Sequence, residues 1–174
     1  MKKVLVLILL IATTGFVFAG GQGEEGADAV SRPTEVVIGG PEDVQPAVGP
    51  DGAWIVLFED DVTVDSQVVI DGEVYAEEGA DAPQRKLALY TQDSDRNVTD
   101  RFTLTVPELV VRHENTRIQA GTIAGDVYVE AEGFELVGGA TIEGNLYFAD
   151  EALQESATID DESSVTGETG IDSL

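Results

Sequence analysis

The sequence predicts an all-β chain and, within that class, a single-stranded parallel β-helix solenoid with coils of about 18 residues. Three observations lead there. From Ala53 onward, short runs of β-branched, aromatic and aliphatic residues alternate with polar ones at a period of two, as in Phe102-Thr103-Leu104-Thr105-Val106. One seven-residue pattern, Ile-x-Gly-(Asp/Asn/Glu)-(Val/Leu)-Tyr-apolar, occurs at Ile70–Ala76, Ile123–Val129 and Ile142–Phe148. No long stretch after the first residues of the chain keeps the 3.6-residue apolar period of an amphipathic helix.

Taken in order, the chain opens like an export signal. Lys2 and Lys3 form a positive start, Val4 to Ile11 an apolar stretch, and Val17-Phe18-Ala19 a small-x-small cleavage site, so cleavage is expected after Ala19. Residues 1–19 are thus assigned to a signal peptide and the mature protein to an exported location: periplasm, cell surface or medium. Residues 20–52 are rich in Gly, Pro, Glu and Asp and read as a flexible acidic linker, because they bury too little to offset the entropy of ordering. Within them, Thr34-Glu35-Val36-Val37-Ile38 has strand character and suits a short strand docked on the body. Residues 53–174 are assigned to the β-helix. Ala149 to Ser156 is the one helical candidate in that body, a loop of one or two turns.

Spacing separates the solenoid from other β architectures. Ile123 and Ile142 are 19 residues apart, and Ile70 and Ile123 are 53 apart, close to three such intervals. Degraded copies fall between them at Leu87-Ala88-Leu89-Tyr90 and Val106-Pro107-Glu108-Leu109-Val110-Val111, and a last copy runs from Val165 to Ile171. In each coil the Ile and the flanking apolar pair would point inward. Gly72, Gly125, Gly144 and Gly167 would form corners that exclude a Cβ. Asp126, Asn145 and Glu73 would bond the turn backbone. Tyr75, Tyr128 and Tyr147 would share one outer face. The competing architecture is an antiparallel β-sandwich, whose strands usually recur every 8 to 12 residues with hairpin turns.

The stretches Thr122–Val129, Gly139–Phe148 and Ser164–Gly167 resemble the bactofilin-type polymer-forming proteins and their exported bacterial relatives. That resemblance covers a little over half of the chain. It implies a right-handed triangular β-helix and self-assembly into filaments or sheets without nucleotide. This chain differs from the family in its export signal, its acidity and its irregular first half.

Charge and composition exclude several roles. If Lys2 and Lys3 leave with the signal, seven of the nine basic residues remain against 34 acidic ones. Nucleic acid and anionic membrane surfaces are therefore not expected partners. There is no cysteine, hence no disulfide, thiolate metal site or lipid-bearing cysteine. His113, the one histidine, reads as an exposed turn residue rather than a general base. No nucleophile motif accompanies it, so no enzyme and no cofactor are expected. Glu59-Asp60-Asp61, Asp93-Ser94-Asp95 and Asp160-Asp161-Glu162 read as solvated turns, since none has the spacing of a calcium loop. The body's six basic residues all lie between Arg85 and Arg117, where local pairing with Asp93, Asp95, Asp100 and Glu114 is expected. A sharper possibility is that this basic band meets the acidic C-terminal end of a neighbouring copy.

The function expected is that of an exported, non-enzymatic structural or assembly protein of the cell envelope, its partner a second copy or an envelope component. The alternative is a binding module whose acidic, Tyr-bearing outer face engages a glycan, a metal ion or a protein.

Overall fold

The computed structural model describes residues 34–76 and 80–172. The chain runs through β1 (Glu35–Ile38), helix α1 (Pro41–Val48), β2 (Ile55–Phe58), β3 (Val62–Thr63), β4 (Val68–Ile70) and β5 (Arg85–Ala88). A hairpin comes after these, formed by β6 (Tyr90–Gln92) and β7 (Val98–Arg101). Next come β8 (Thr103–Val111), β9 (Thr116–Gln119), β10 (Thr122–Val129), β11 (Glu135–Val137), β12 (Thr141–Ile142) and β13 (Leu146–Phe148). The short helix α2 (Glu151–Ser156) leads to β14 (Thr158–Ile159), β15 (Ser164–Val165) and β16 (Thr169–Ile171).

The strands form two long parallel ladders. One has the order β1-β2-β5-β9-β11-β14. In the other, β3 and β4 pair with β8, β8 with β10, β10 with β12 and β13, and these with β15 and β16. Only the β6–β7 hairpin is antiparallel among the described strands. The sandwich alternative is thereby overturned: its strands would pair antiparallel, whereas every described pairing except β6–β7 is parallel.

Register explains the core. In the first ladder Val36, Val56, Leu87, Ile118, Leu136 and Ile159 stand in one column. In the second, Val62, Leu104, Ile123, Ile142 and Val165 form another column, and Ile70, Val111, Val129, Phe148 and Ile171 a third. The interior members of all three columns are fully buried. Each such side chain contributes roughly 1.5–3 kcal/mol by leaving water. No single strand could bury these residues; the parallel pairing of strands within the two ladders does it.

The same register corrects the repeat. Ile70 stands opposite Val111, hence level with Val129 and not with Ile123. Leu104 and Val62 are the residues level with Ile123. Leu87 belongs to the other ladder, opposite Ile118. The span of 53 residues between Ile70 and Ile123 contains the 71–84 connection and the β6–β7 hairpin, so it does not hold three regular coils. The regular steps are Leu104 to Ile123 and Ile123 to Ile142, both 19 residues, and Ile142 to Val165, lengthened to 23 by α2.

The linker reading of 20–52 also needs correction over its second half. β1 pairs with β2, and α1 buries Val44, Ala47 and Val48. Pro41 opens α1, where a missing N–H costs nothing, and the i, i+3, i+4 spacing of the three apolar residues gives the helix a buried face. The folded body therefore begins near residue 34 rather than 53. The signal peptide and residues 20–33 lie outside the described residues.

Candidate functional site

The candidate surface grows from the corner between the two halves of β10. At this corner Val106 and Pro107 of β8 face Gly125 alone, a two-against-one bulge. A Cβ on Gly125 would lie 1.7 Å from the Val106 carbonyl oxygen. Gly144 sits 2.3 Å, measured the same way, from the Gly125 oxygen, and Gly167 sits 2.4 Å from the Gly144 oxygen. Each corner thus packs its backbone under the corner before it. Gly72 is a separate case: its φ is +97° and its neighbour is the Pro50 Cα, so it serves the connection next to α1.

The polar residue after each glycine bonds onward, not within its own turn. Asp126 Oδ1 accepts the Asn145 N–H at 2.8 Å, and Asn145 Oδ1 accepts the Glu168 N–H at 2.9 Å. A side-chain ladder therefore runs down the corner and fixes the register of the strands that leave it. Glu73 lies outside this ladder; the level position in β8 is Glu108.

Three residues past the corner glycines Gly125, Gly144 and Gly167 come Tyr128, Tyr147 and Gly170, which share one column of the outer face with Val69 and Val110. The rings of Tyr128 and Tyr147 are 5.3 Å apart between centroids and tilted by 37°. Gly170 leaves open space beside Tyr147, since nothing lies within 4 Å of a Cβ built there. Glu108, Asp126, Asn145 and Glu168 stand level with one another before the tyrosines, and Asp172 lies just beyond β16. Both phenols are held above the usual tyrosine range. Partial loss of solvent is the larger cause. The carboxylates of Asp126, Glu108 and Asp172 add to it for Tyr128, and those of Glu168, Asp126 and Asp172 for Tyr147. Tyr75 does not join this column. It lies beyond β4, 44 % exposed, in the connection to β5. The reason is the register shift above: Val69, not Tyr75, is level with Val110.

His113 is not an exposed turn residue; it is 1 % exposed. Its Nε2 accepts the Val74 N–H at 3.1 Å, which leaves the proton on Nδ1 to donate to the Glu114 carbonyl at 2.6 Å. Burial lowers its pKa, and the nearby Arg85 charge acts in the same direction. A neutral imidazole pinned between two backbone groups holds a connection in place.

The acidic clusters serve turns. Asp93 accepts the N–H groups of Asp95 and Asn97 and the Asn97 side chain, and these bonds lower its pKa. Asp160 is lowered by the Ser163 hydroxyl and the Gly138 N–H. Asp61 accepts the Thr103 N–H. Among the described residues no group of three or more His, Asp or Glu side chains is arranged to hold a metal ion. The expected local ion pairs are replaced by pairs one coil away, Arg112 with Glu130 and Arg117 with Glu135. Arg101 donates to the Gly138 and Gly139 carbonyls.

Two features escaped the sequence. One is Gln45 of α1, whose amide donates to the Val69 carbonyl and accepts the Val69 N–H, both at 2.9 Å. It stands in for a neighbouring strand on the free edge of β4. The Val44, Ala47, Val48 spacing was the available signal. The other is a hollow of about 160 Å³ between Trp54, Gln84, Lys86, Asn115, Arg117 and Glu135. The clustering of basic residues was its only trace. No family model, curated protein or solved structure matches this chain.

Proposed function

We propose that this chain is an exported, non-enzymatic structural protein of the cell envelope. It is a single-stranded parallel β-helix, right-handed as the bactofilin resemblance implies, and two copies join through the coil made of β14, β15 and β16. One observation carries the reading: two of the three inward columns end at that coil on a largely exposed residue. Ile159 is 42 % and Ile171 53 % exposed, although their counterparts in the preceding coils are buried. The Thr158 and Asp160 N–H groups bond back to Phe134 and Leu136, so the N–H and carbonyl of Ile159 face outward. A parallel edge of this kind is a template for further pairing.

The opposite end supports joining by like ends. There α1 covers β4, and Gln45 occupies the N–H and carbonyl of Val69, the groups that a strand added to β4 would need. Contact between like ends closes on itself and gives a pair, not an open fibre. The terminal coil is acidic, with Asp160, Asp161, Glu162, Glu168 and Asp172 and no Lys or Arg after Arg117. Association should therefore strengthen with salt, as the Debye length falls to about 3 Å at 1 M. Sedimentation of residues 20–174 is the test. Dimers at 1 M NaCl, lost in Ile171→Lys, support the reading, and a monomer at every salt and protein concentration overturns it.

A second reading rests on the Tyr128–Tyr147 ledge. Paired rings with open space at Gly170 and carboxylates on their borders suit the CH faces and hydroxyls of a glycan. Co-sedimentation with purified cell-wall polysaccharide, lost in Tyr128→Ala and Tyr147→Ala, would support it. Unchanged retention in the double variant would remove it.

A further inference from the structure

We propose that the hollow beside Trp54 binds one small oxyanion, a carboxylate or a phosphate group. Lys86 and Arg117 stand directly opposite each other on β5 and β9, and Glu135 is the next residue in that row, on β11. These residues alternate with buried Leu87, Ile118 and Leu136, so they lie on the outer side of the ladder. Like charges directly opposite on neighbouring strands destabilise a sheet. This chain has only nine basic residues and a formal charge of −25, yet it sets two cations side by side. Their partners among the described residues do not cancel both charges. Arg117 is paired with Glu135 on its far side. Lys86 meets a neutral group, the Tyr90 hydroxyl at 3.0 Å, with its ammonium 5.3 Å from the centre of that ring.

The cavity fits a small anion in size and lining. Its volume of about 160 Å³ lies well below the ~300 Å³ at which sites for larger ligands begin. Two cations form one wall, Trp54 another, and the Gln84 and Asn115 amides border it; the Glu135 carboxylate lies at the edge of the hollow, held by Arg117, so Lys86 is the cation left to draw an anion in. Asn115 is fixed in place by donation from Nδ2 to the Pro83 carbonyl at 2.9 Å. Arg85 also borders the hollow, but its buried guanidinium turns inward and donates to the Gly49 carbonyl. A bridging carboxylate or phosphate would meet both cations at once and remove the repulsion between them. Elsewhere the acidic surface repels anions, so occupancy would depend on these short-range donors rather than on long-range steering.

The chain has a single tryptophan, so its fluorescence reports on this hollow alone. The mature chain is titrated with sodium phosphate in one arm and sodium acetate in another, with sodium chloride holding ionic strength constant. Backbone amide shifts of Lys86 and Arg117 serve as a second readout. The proposal expects a saturable response to at least one anion, with a midpoint of about 10 mM or lower. The arm that responds more strongly identifies the class. Lys86→Gln and Arg117→Gln should each raise the midpoint about tenfold, and Arg112→Gln should leave it unchanged. No saturable response in either readout, or an unchanged midpoint in Lys86→Gln, overturns the proposal. A response that tracks protein concentration without added anion would give the hollow to a carboxylate of a second copy, and also overturns it.

Discussion

The two ends of the ladders are finished by different means. At the N-terminal end α1 buries Val44, Ala47 and Val48, and the Gln45 amide replaces a missing strand on β4. At the C-terminal end β14, β15 and β16 keep the same inward pattern, but Ile159 and Ile171 stay largely exposed while Val165 is only partly buried. The strand pattern is shared, so pattern alone does not decide whether a coil is core or edge. What lies over it does. A sheet that grows by stacking inherits this problem at each end, and it can be met by a local cap or by another molecule.

Glycine substitutions should separate interior from edge most sharply. Gly125→Val forces a side chain into the Val106 carbonyl and should cost more than about 4 kcal/mol, enough to abolish the thermal transition. Gly170→Val enters open space and should change stability by no more than about 0.5 kcal/mol. Equal losses at the two positions would break the comparison. The apolar pair comes next. Val48→Ala, at a fully buried site of α1, should cost roughly 2 kcal/mol in urea unfolding, while Ile171→Ala should cost about 1 kcal/mol or less.

A pH series tests the N-terminal half through His113. Its folded-state pKa is lowered from 6.5, chiefly by burial. Below 6.5 the unfolded chain takes up a proton that the native state refuses. Stability should therefore be complete above that pH and fall as the pH drops toward the folded-state pKa. His113→Gln keeps an acceptor for the Val74 N–H but cannot titrate, so unfolding midpoints between about pH 7 and 5 should flatten in this variant. An unchanged slope would show that the loss comes from carboxylates instead. The smallest effect is expected on the surface. Arg112→Gln removes an exposed pair with Glu130 and should lower the unfolding midpoint only slightly at low salt, and less than that at 1 M NaCl.

How much of this was legible depended on the region. Thr122–Val129 and Thr141–Phe148 were readable because their corners are regular: close packing at Gly125 and Gly144 forces the same residue types to recur at the same spacing. The copy at Ile70–Ala76 misled because seven matching residues carry no information on register. Two insertions of similar size, the 71–84 connection and the β6–β7 hairpin, then imitated a whole number of coils. Helix α1 was obscured by Pro41 and Pro46, which colour the composition of a segment whose fold rests on three buried residues. The burial of His113 was beyond reach, since nothing local to it announces that Val74 returns to its Nε2. The tyrosine pair was legible and the third tyrosine was not, for the same reason of register.

The central claim is that copies meet at the terminal coil and not at α1. The chain lacks cysteine, so single spin labels can be placed cleanly at Glu162→Cys on the terminal coil and Glu42→Cys on α1, both exposed positions. Pulsed dipolar distances between copies in 1 M NaCl are the direct measurement. The account predicts a short, narrow intermolecular distance for the label at position 162 and only long distances for the label at 42. Short distances at 42, or no intermolecular coupling at either position, would contradict it.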